Sequence, residues 1–173
     1  IPNLAATNPW MVLLLIGLQV MLVGLTINGL ASIGEEFGWR AYLLPKLIER
    51  FTGAKPGSGA AQVTPSASLF AAGARKASLL IGLIWGVWHW PLFFMTAKLD
   101  PNFTPLFPLV YLVFTCSLSV LLSWVTLRSS SIWPAAIGHG TINGTSGLAG
   151  YLLKGTANPL LGPGPTGLIG VIG

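Results

Sequence analysis

The chain has 173 residues, 53% of them hydrophobic and 8% charged, with four acidic and nine basic residues and a formal net charge of +5. A mean hydropathy of +0.74 excludes an ordinary soluble domain and points to membrane-spanning segments. The few basic residues do not gather into a cluster, so no nucleic acid partner is expected; basic residues retained in the cytoplasmic loops of a membrane protein account for the charge.

The chain opens on Ile1 rather than Met and closes on the apolar run GLIGVIG. It therefore reads as an excerpt of a longer protein, with N-terminal spans and a C-terminal end missing. No basic segment precedes the first apolar run, so no signal peptide is read. A first span is expected from near Pro9 to about Leu44, with Pro45 ending it, because proline cannot extend a helix interior. Residues Thr52 to Ala77, rich in Gly, Ala, Ser and Pro, predict a flexible cytoplasmic loop over 52–77. A second span follows from about Ser78 to Ala97 and contains WGVWHWPLFF. Pro91 should kink it, as neighbouring helices permit in membranes.

After the short loop KLDPNFTP comes a third span, Leu106 to Leu127, holding the lone Cys116. One cysteine gives no disulfide framework and reads as a free, packed side chain. Arg128 and three serines make a tight connection to a fourth span beginning near Ile132. A Gly/Pro-rich stretch after Lys154 leads to a partial fifth from about Leu160. The predicted fold class is all-α: one domain over 1–173, a polytopic transmembrane helix bundle with four complete spans and a partial fifth. Span length and the lack of alternation exclude a β-barrel. Lys46, Arg50, Lys55, Arg75, Lys76 and Arg128 fall on one side and Lys98 and Lys154 on the other, which puts the first group in the cytoplasm.

The spans are broken by a few polar side chains: Glu35, Glu36 and Arg40 in the first, His89 in the second, His139 and Asn143 in the fourth. Ionisable groups at membrane depth cost about 2.5–3.5 kcal/mol each and normally face the bundle interior, where they carry function. Helix rise places Glu35 roughly 14 Å from Leu44, His89 roughly 16 Å from Ser78 and His139 roughly 10 Å from Ile132. These similar depths suit one shared site. Residues four apart share a helix face, so Arg40 can neutralise Glu36. Glu35, turned about 100° away on the wheel, is left without that partner. The expected division is Glu36–Arg40 as structural clamp and Glu35 as chemical group. His139 and Asn143 can likewise reach one ligand, and Trp85, one turn before His89, can wall or orient the imidazole. Gly34/Gly38, Gly82/Gly86 and Gly140/Gly144 form small-xxx-small pairs that let helices approach closely.

A carboxylate and an imidazole sharing a water can take its proton and make it a nucleophile. A second histidine and an amide can hold the oxyanion that forms when water attacks a carbonyl. Alternatively Glu35, His89 and His139 can bind a divalent metal such as zinc, which polarises the carbonyl and acidifies the water. HExxH and phosphate-loop signatures are absent.

The segments EEFGWR, WGVWH and HGTIN, in that order, with GWRAYLLPKL and WHWPLFF around them, resemble the CPBP intramembrane protease family, which contains the type II CAAX prenyl endopeptidases and bacterial Abi proteins. The resemblance covers about Gly34 to Asn143. Trp85 stands where the eukaryotic branch usually has Phe. The resemblance implies a multi-span helical fold in the cell membrane, with a site open to cytosol and lipid and a peptide or protein substrate that is lipidated in the CAAX branch. It implies Glu35 and His89 as water activators, His139 and Asn143 at the oxyanion or a metal, and Glu36 and Arg40 in support. It leaves a zinc mechanism and a metal-free glutamate mechanism both open. Against this endopeptidase reading stand a non-catalytic immunity or scaffold protein of the same fold and, less favoured by the paired glutamates, a solute or proton transporter.

Overall fold

The computed structural model describes residues 8–53, 67–97, 103–146, 158 and 160–162. Among these, the regular structure is helical. The first helix, α1, runs Trp10–Thr52 without interruption over 43 residues. Its start is set by Asn8, whose side chain accepts from the Trp10 N–H, and by Pro9 in the first turn, where a missing N–H costs nothing. It ends at Gly53, in the left-handed region at φ 70°, where glycine avoids the Cβ penalty. Then come α2 (Ala67–Trp88), the short α3 (Trp90–Thr96), α4 (Phe107–Ser129) and α5 (Trp133–Thr145).

Among the described residues, three helical segments are long and apolar enough to cross a membrane: Trp10–Thr52, Phe70–Met95 and Phe107–Ser129. The third and second expected spans are among them. The expected fourth span is described only through α5, whose 13 residues reach about 20 Å, short of a hydrocarbon core of about 30 Å. Its continuation and most of the fifth segment lie outside the described residues, as do Lys55, Lys98 and Lys154.

Two boundaries differ from the sequence expectation. Pro45 does not end α1. The backbone widens to π-helix over Phe37–Leu43, and Pro45 falls in the first turn of the α-helical stretch that resumes at Leu44. There its absent N–H removes no needed bond. The expected 52–77 loop is also shorter, because Thr52 still belongs to α1 and α2 already begins at Ala67. Only 54–66 remain, outside the described residues. Moving both helix ends removes the basis for comparing depths by counting from Leu44 and Ser78; contacts between helices are what bring the site together.

The bundle is apolar outside, and inside it mixes apolar side chains such as Leu44, Ile81, Trp85 and Leu122 with small and polar ones. Trp10, Leu14, Leu22 and Leu30 are each more than 60% exposed, which suits lipid rather than water. Buried positions include Ser32, Glu36, Arg40, Ser78, Thr115, Ser119, Ser123 and His139. In lipid there is little apolar driving force between helices, so close packing and interhelical hydrogen bonds hold them together. α2 and α4 pack antiparallel, with Ser119 Oγ donating to the Ser78 carbonyl at 2.7 Å. A Cβ added at Gly82 would lie 2.5 Å from Cys116 Cα, so the backbones approach there more closely than any larger residue allows. α5 packs the same way on α1, where a Cβ on Gly140 would lie 2.5 Å from the Gly29 nitrogen.

Two of the expected glycine pairs are thus helix contacts and the third is not. Gly34 and Gly38 have open space where a Cβ would go; they face a pocket instead. The partners of Gly140 and Gly144 are Gly24, Asn28 and Gly29 on α1, which the small-xxx-small pattern did not single out.

Candidate active site

The two adjacent glutamates of α1 point into different surroundings. Glu36 is fully buried. Its Oε1 accepts from Arg40 Nη1 at 2.9 Å, within the same helix, and from His139 Nδ1 at 2.9 Å across from α5. Arg40 is buried as well, with its guanidinium carbon 5.0 Å from the centre of the Trp85 ring. A charge buried this deeply persists only with partners, and the carboxylate sits between the guanidinium and the imidazole. Glu36 Oε2 and Arg40 Nη2 have no protein partner among the described residues.

Glu35, one position earlier, is half-buried. Its Oε2 accepts from the Trp85 indole Nε1 at 2.9 Å. It forms part of the wall of a pocket of about 470 Å³ lined also by Gly34, Gly38, Trp39, Tyr42 and Trp88. Bare glycine backbone on either side of Glu35 leaves this pocket open. The wide turn of the following π-helical stretch sets the direction of Trp39, Arg40 and Tyr42 relative to the glutamates; such widened stretches inside helices often occur at functional sites.

Trp85 joins the two halves. Its indole bonds Glu35, its ring packs edge-on against His139 at 4.9 Å, and its carbonyl faces His89 Nδ1 at 2.8 Å. A carbonyl can only accept, so His89 Nδ1 carries the proton and Nε2 is left with its lone pair in the neutral ring. His139 Nδ1 meets a carboxylate and donates by the same reasoning. Among the described residues neither Nε2 has a hydrogen-bond partner. His89 sits in the break between α2 and α3; where the sequence reading expected Pro91 to kink one span, Pro91 stands in the first turn of α3. Its ring lies among Trp88, Phe93 and Tyr111, with the Tyr111 ring 5.2 Å away.

The fold thus brings Glu36, Arg40, His139, Trp85, Glu35 and His89 into one connected set. The imidazole that meets a carboxylate directly meets Glu36, where the sequence reading had given Glu36 to Arg40 alone. Asn143, one turn beyond His139, is exposed, and its carbonyl accepts from Ser146. Trp39, Tyr42, Trp88 and Tyr111 were not marked as site residues in the sequence. Aromatics are common in membrane helices, and only the packing of Tyr111 from α4 against His89 distinguishes it. Among the described residues no three His, Cys, Asp or Glu side chains are grouped so as to hold an ion.

A family description, type II CAAX prenyl endopeptidase Rce1-like, matches residues 10–145. The chain belongs to this Rce1-like family. The match takes in α1 through α5 and every residue of the connected set. The chain is also 30% identical over 118 residues to CAAX prenyl protease 2 of Methanococcus maripaludis, covering 66% of this chain and 36% of that protein. The chain therefore spans about a third of the length of that curated relative. No solved structure matches it.

Proposed function

We propose that the protein is an intramembrane endopeptidase that hydrolyses a peptide bond near the cytoplasmic face of the cell membrane, on protein or peptide substrates of the CAAX kind carrying a lipid. One observation carries this reading: two neighbouring carboxylates are held in unlike environments. Glu36 is enclosed by Arg40 and His139, while Glu35 faces a pocket with a single indole donor. Environments that separate two titratable groups commonly separate their roles.

In this mechanism Glu35 takes a proton from a water in the pocket, with His89 Nε2 accepting a second hydrogen bond from the same water. The water oxygen bonds to the scissile carbonyl carbon, and the carbonyl electron pair moves onto its oxygen. His139, protonated and backed by Glu36, donates from Nε2 to that oxyanion, with the Asn143 amide as a second donor. Collapse of the tetrahedral intermediate breaks the C–N bond, and the leaving amine receives the proton held by Glu35. A general base contributes about 10²–10⁴ in rate and an oxyanion donor about 10²–10³. Arg40 and Trp85 position the groups; no step uses a metal. The name of the archaeal relative supports the CAAX substrate class.

The test is cleavage of a farnesylated CAAX peptide by the full-length protein in vesicles. Glu35→Gln and His89→Ala should each abolish most turnover while the protein stays folded. Turnover of Glu35→Gln equal to wild type would reject the assignment.

A further inference from the structure

Away from this site, α2 and α4 enclose a groove on their outer face. Near the ends that carry Arg75 and Arg128 it opens as a pocket of about 410 Å³, bordered also by Phe70, Ser78, Val120 and Trp124. Beyond Val120 it continues as a pocket of about 610 Å³ lined by Leu79, Leu83, Leu112, Val113 and Cys116. Val120 borders both, so the two pockets follow one another along α2 and α4. From Arg128 to Leu112 the groove follows α4 for about 24 Å, more than the depth of one leaflet, about 15 Å.

The chemistry changes along its length. One end has two exposed guanidinium groups, and among the described residues neither has a carboxylate partner: Glu35 and Glu36 lie in the site above and Glu49 pairs with Lys46, while Asp100 stands outside the described residues. Trp124 beside them is 58% exposed, as suits an indole at the headgroup level. The remainder is aliphatic. The antiparallel packing of Ser78 on Ser119 brings the two arginines to the same end.

We propose that this groove holds one anionic phospholipid, with its phosphate between Arg75 and Arg128 and an acyl chain along Leu79, Leu83, Leu112 and Val113. Basic residues at the end of an intramembrane groove recognise acidic headgroups by charge; guanidinium adds bidentate hydrogen bonding to phosphate. The groove lies on the α2–α4 face, separate from the pocket at Glu35, so it is independent of the peptidase reading.

The experiment is native mass spectrometry of delipidated full-length protein in detergent, titrated with phosphatidylglycerol, phosphatidylcholine or soluble glycerol phosphate. Wild type should retain phosphatidylglycerol in preference to phosphatidylcholine by about tenfold or more, as two arginine contacts predict. Arg75→Ala with Arg128→Ala should bring that retention down to the phosphatidylcholine level. Val120→Trp, which blocks the groove without touching the arginines, should also release the lipid at an unchanged melting temperature. Equal retention of both lipids by wild type would overturn the proposal. So would wild-type retention in either variant, or displacement of the lipid by glycerol phosphate at equal concentration, which would make it a phosphate site without a chain.

Discussion

Trp85 Nε1 donates to Glu35 Oε2 at 2.9 Å, joining residues 50 apart in the chain. The same tryptophan packs its ring on His139 and holds His89 through its carbonyl. Trp85→Phe removes the donor together with part of the buried ring and keeps the backbone. A hydrogen bond to a charged group contributes about 1.5–3 kcal/mol. We expect kcat to fall by about tenfold or more with KM little changed, and the melting temperature to fall as well, because the smaller ring leaves a gap against Arg40 and His139. Steady-state kinetics on the farnesylated peptide, with thermal unfolding followed by tryptophan fluorescence, check this.

Glu36 and Glu35 should fail in different ways. Removing one partner of a buried ion pair costs about 3–5 kcal/mol, because the other charge stays behind. Glu36→Gln strands the buried Arg40, so it should lower the melting temperature and yield of folded protein. Glu35→Gln should leave the melting temperature within error and remove about 10²–10⁴ of the rate. The two readouts, measured side by side, separate a structural acid from a catalytic one.

Glu36 and His139 should be energetically coupled. Their atoms touch at 2.9 Å across 103 residues of sequence, and contacting residues show interaction energies of about 0.5–3 kcal/mol. A double-mutant cycle with Glu36→Gln and His139→Ala, read by unfolding in detergent, should return a coupling in this range. Strict additivity would mean that the contact is energetically idle.

The glycines make a paired test. Gly140→Ala places a methyl 2.5 Å from the Gly29 nitrogen and should destabilise by about 1–3 kcal/mol as α5 is pushed off α1. Gly34→Ala meets nothing within 4 Å, and alanine is better in a helix by about 0.5–1 kcal/mol. It should keep or raise the melting temperature while narrowing the pocket beside Glu35 and raising KM.

Chelation tests the arrangement of donors. With no three ligating side chains grouped among the described residues, cleavage should run at its untreated rate after incubation with chelator and dialysis. Loss of activity that returns with added zinc would contradict this.

Much of the architecture was legible in order. Apolar runs of the right length gave the helices, and a carboxylate pair, an imidazole after tryptophans and HGTIN marked the polar interior. The places where the expectation missed are those where local rules were outvoted. Pro45 reads as a stop, but the π-helical stretch ahead of it puts it in a first turn, where proline is harmless. Gly34 and Gly38 read as a packing pair, yet line a pocket; spacing says which glycines share a face, not what that face meets.

The sequence by itself determined that this chain is a helical membrane protein, that Glu35, Glu36, Arg40 and both histidines lie within the spans while the other charges lie outside them, and that its three motifs resemble those of one protease family. The first two follow from composition and local periodicity, the third from the resemblance of the motifs. Only the tertiary structure decided that His139 bonds Glu36, that Trp85 holds Glu35, and that Arg75 and Arg128 share a groove. Neighbouring side chains on a helix diverge by about 100°, so which of two adjacent glutamates meets the imidazole depends on how another helix, far along the chain, is rotated and packed.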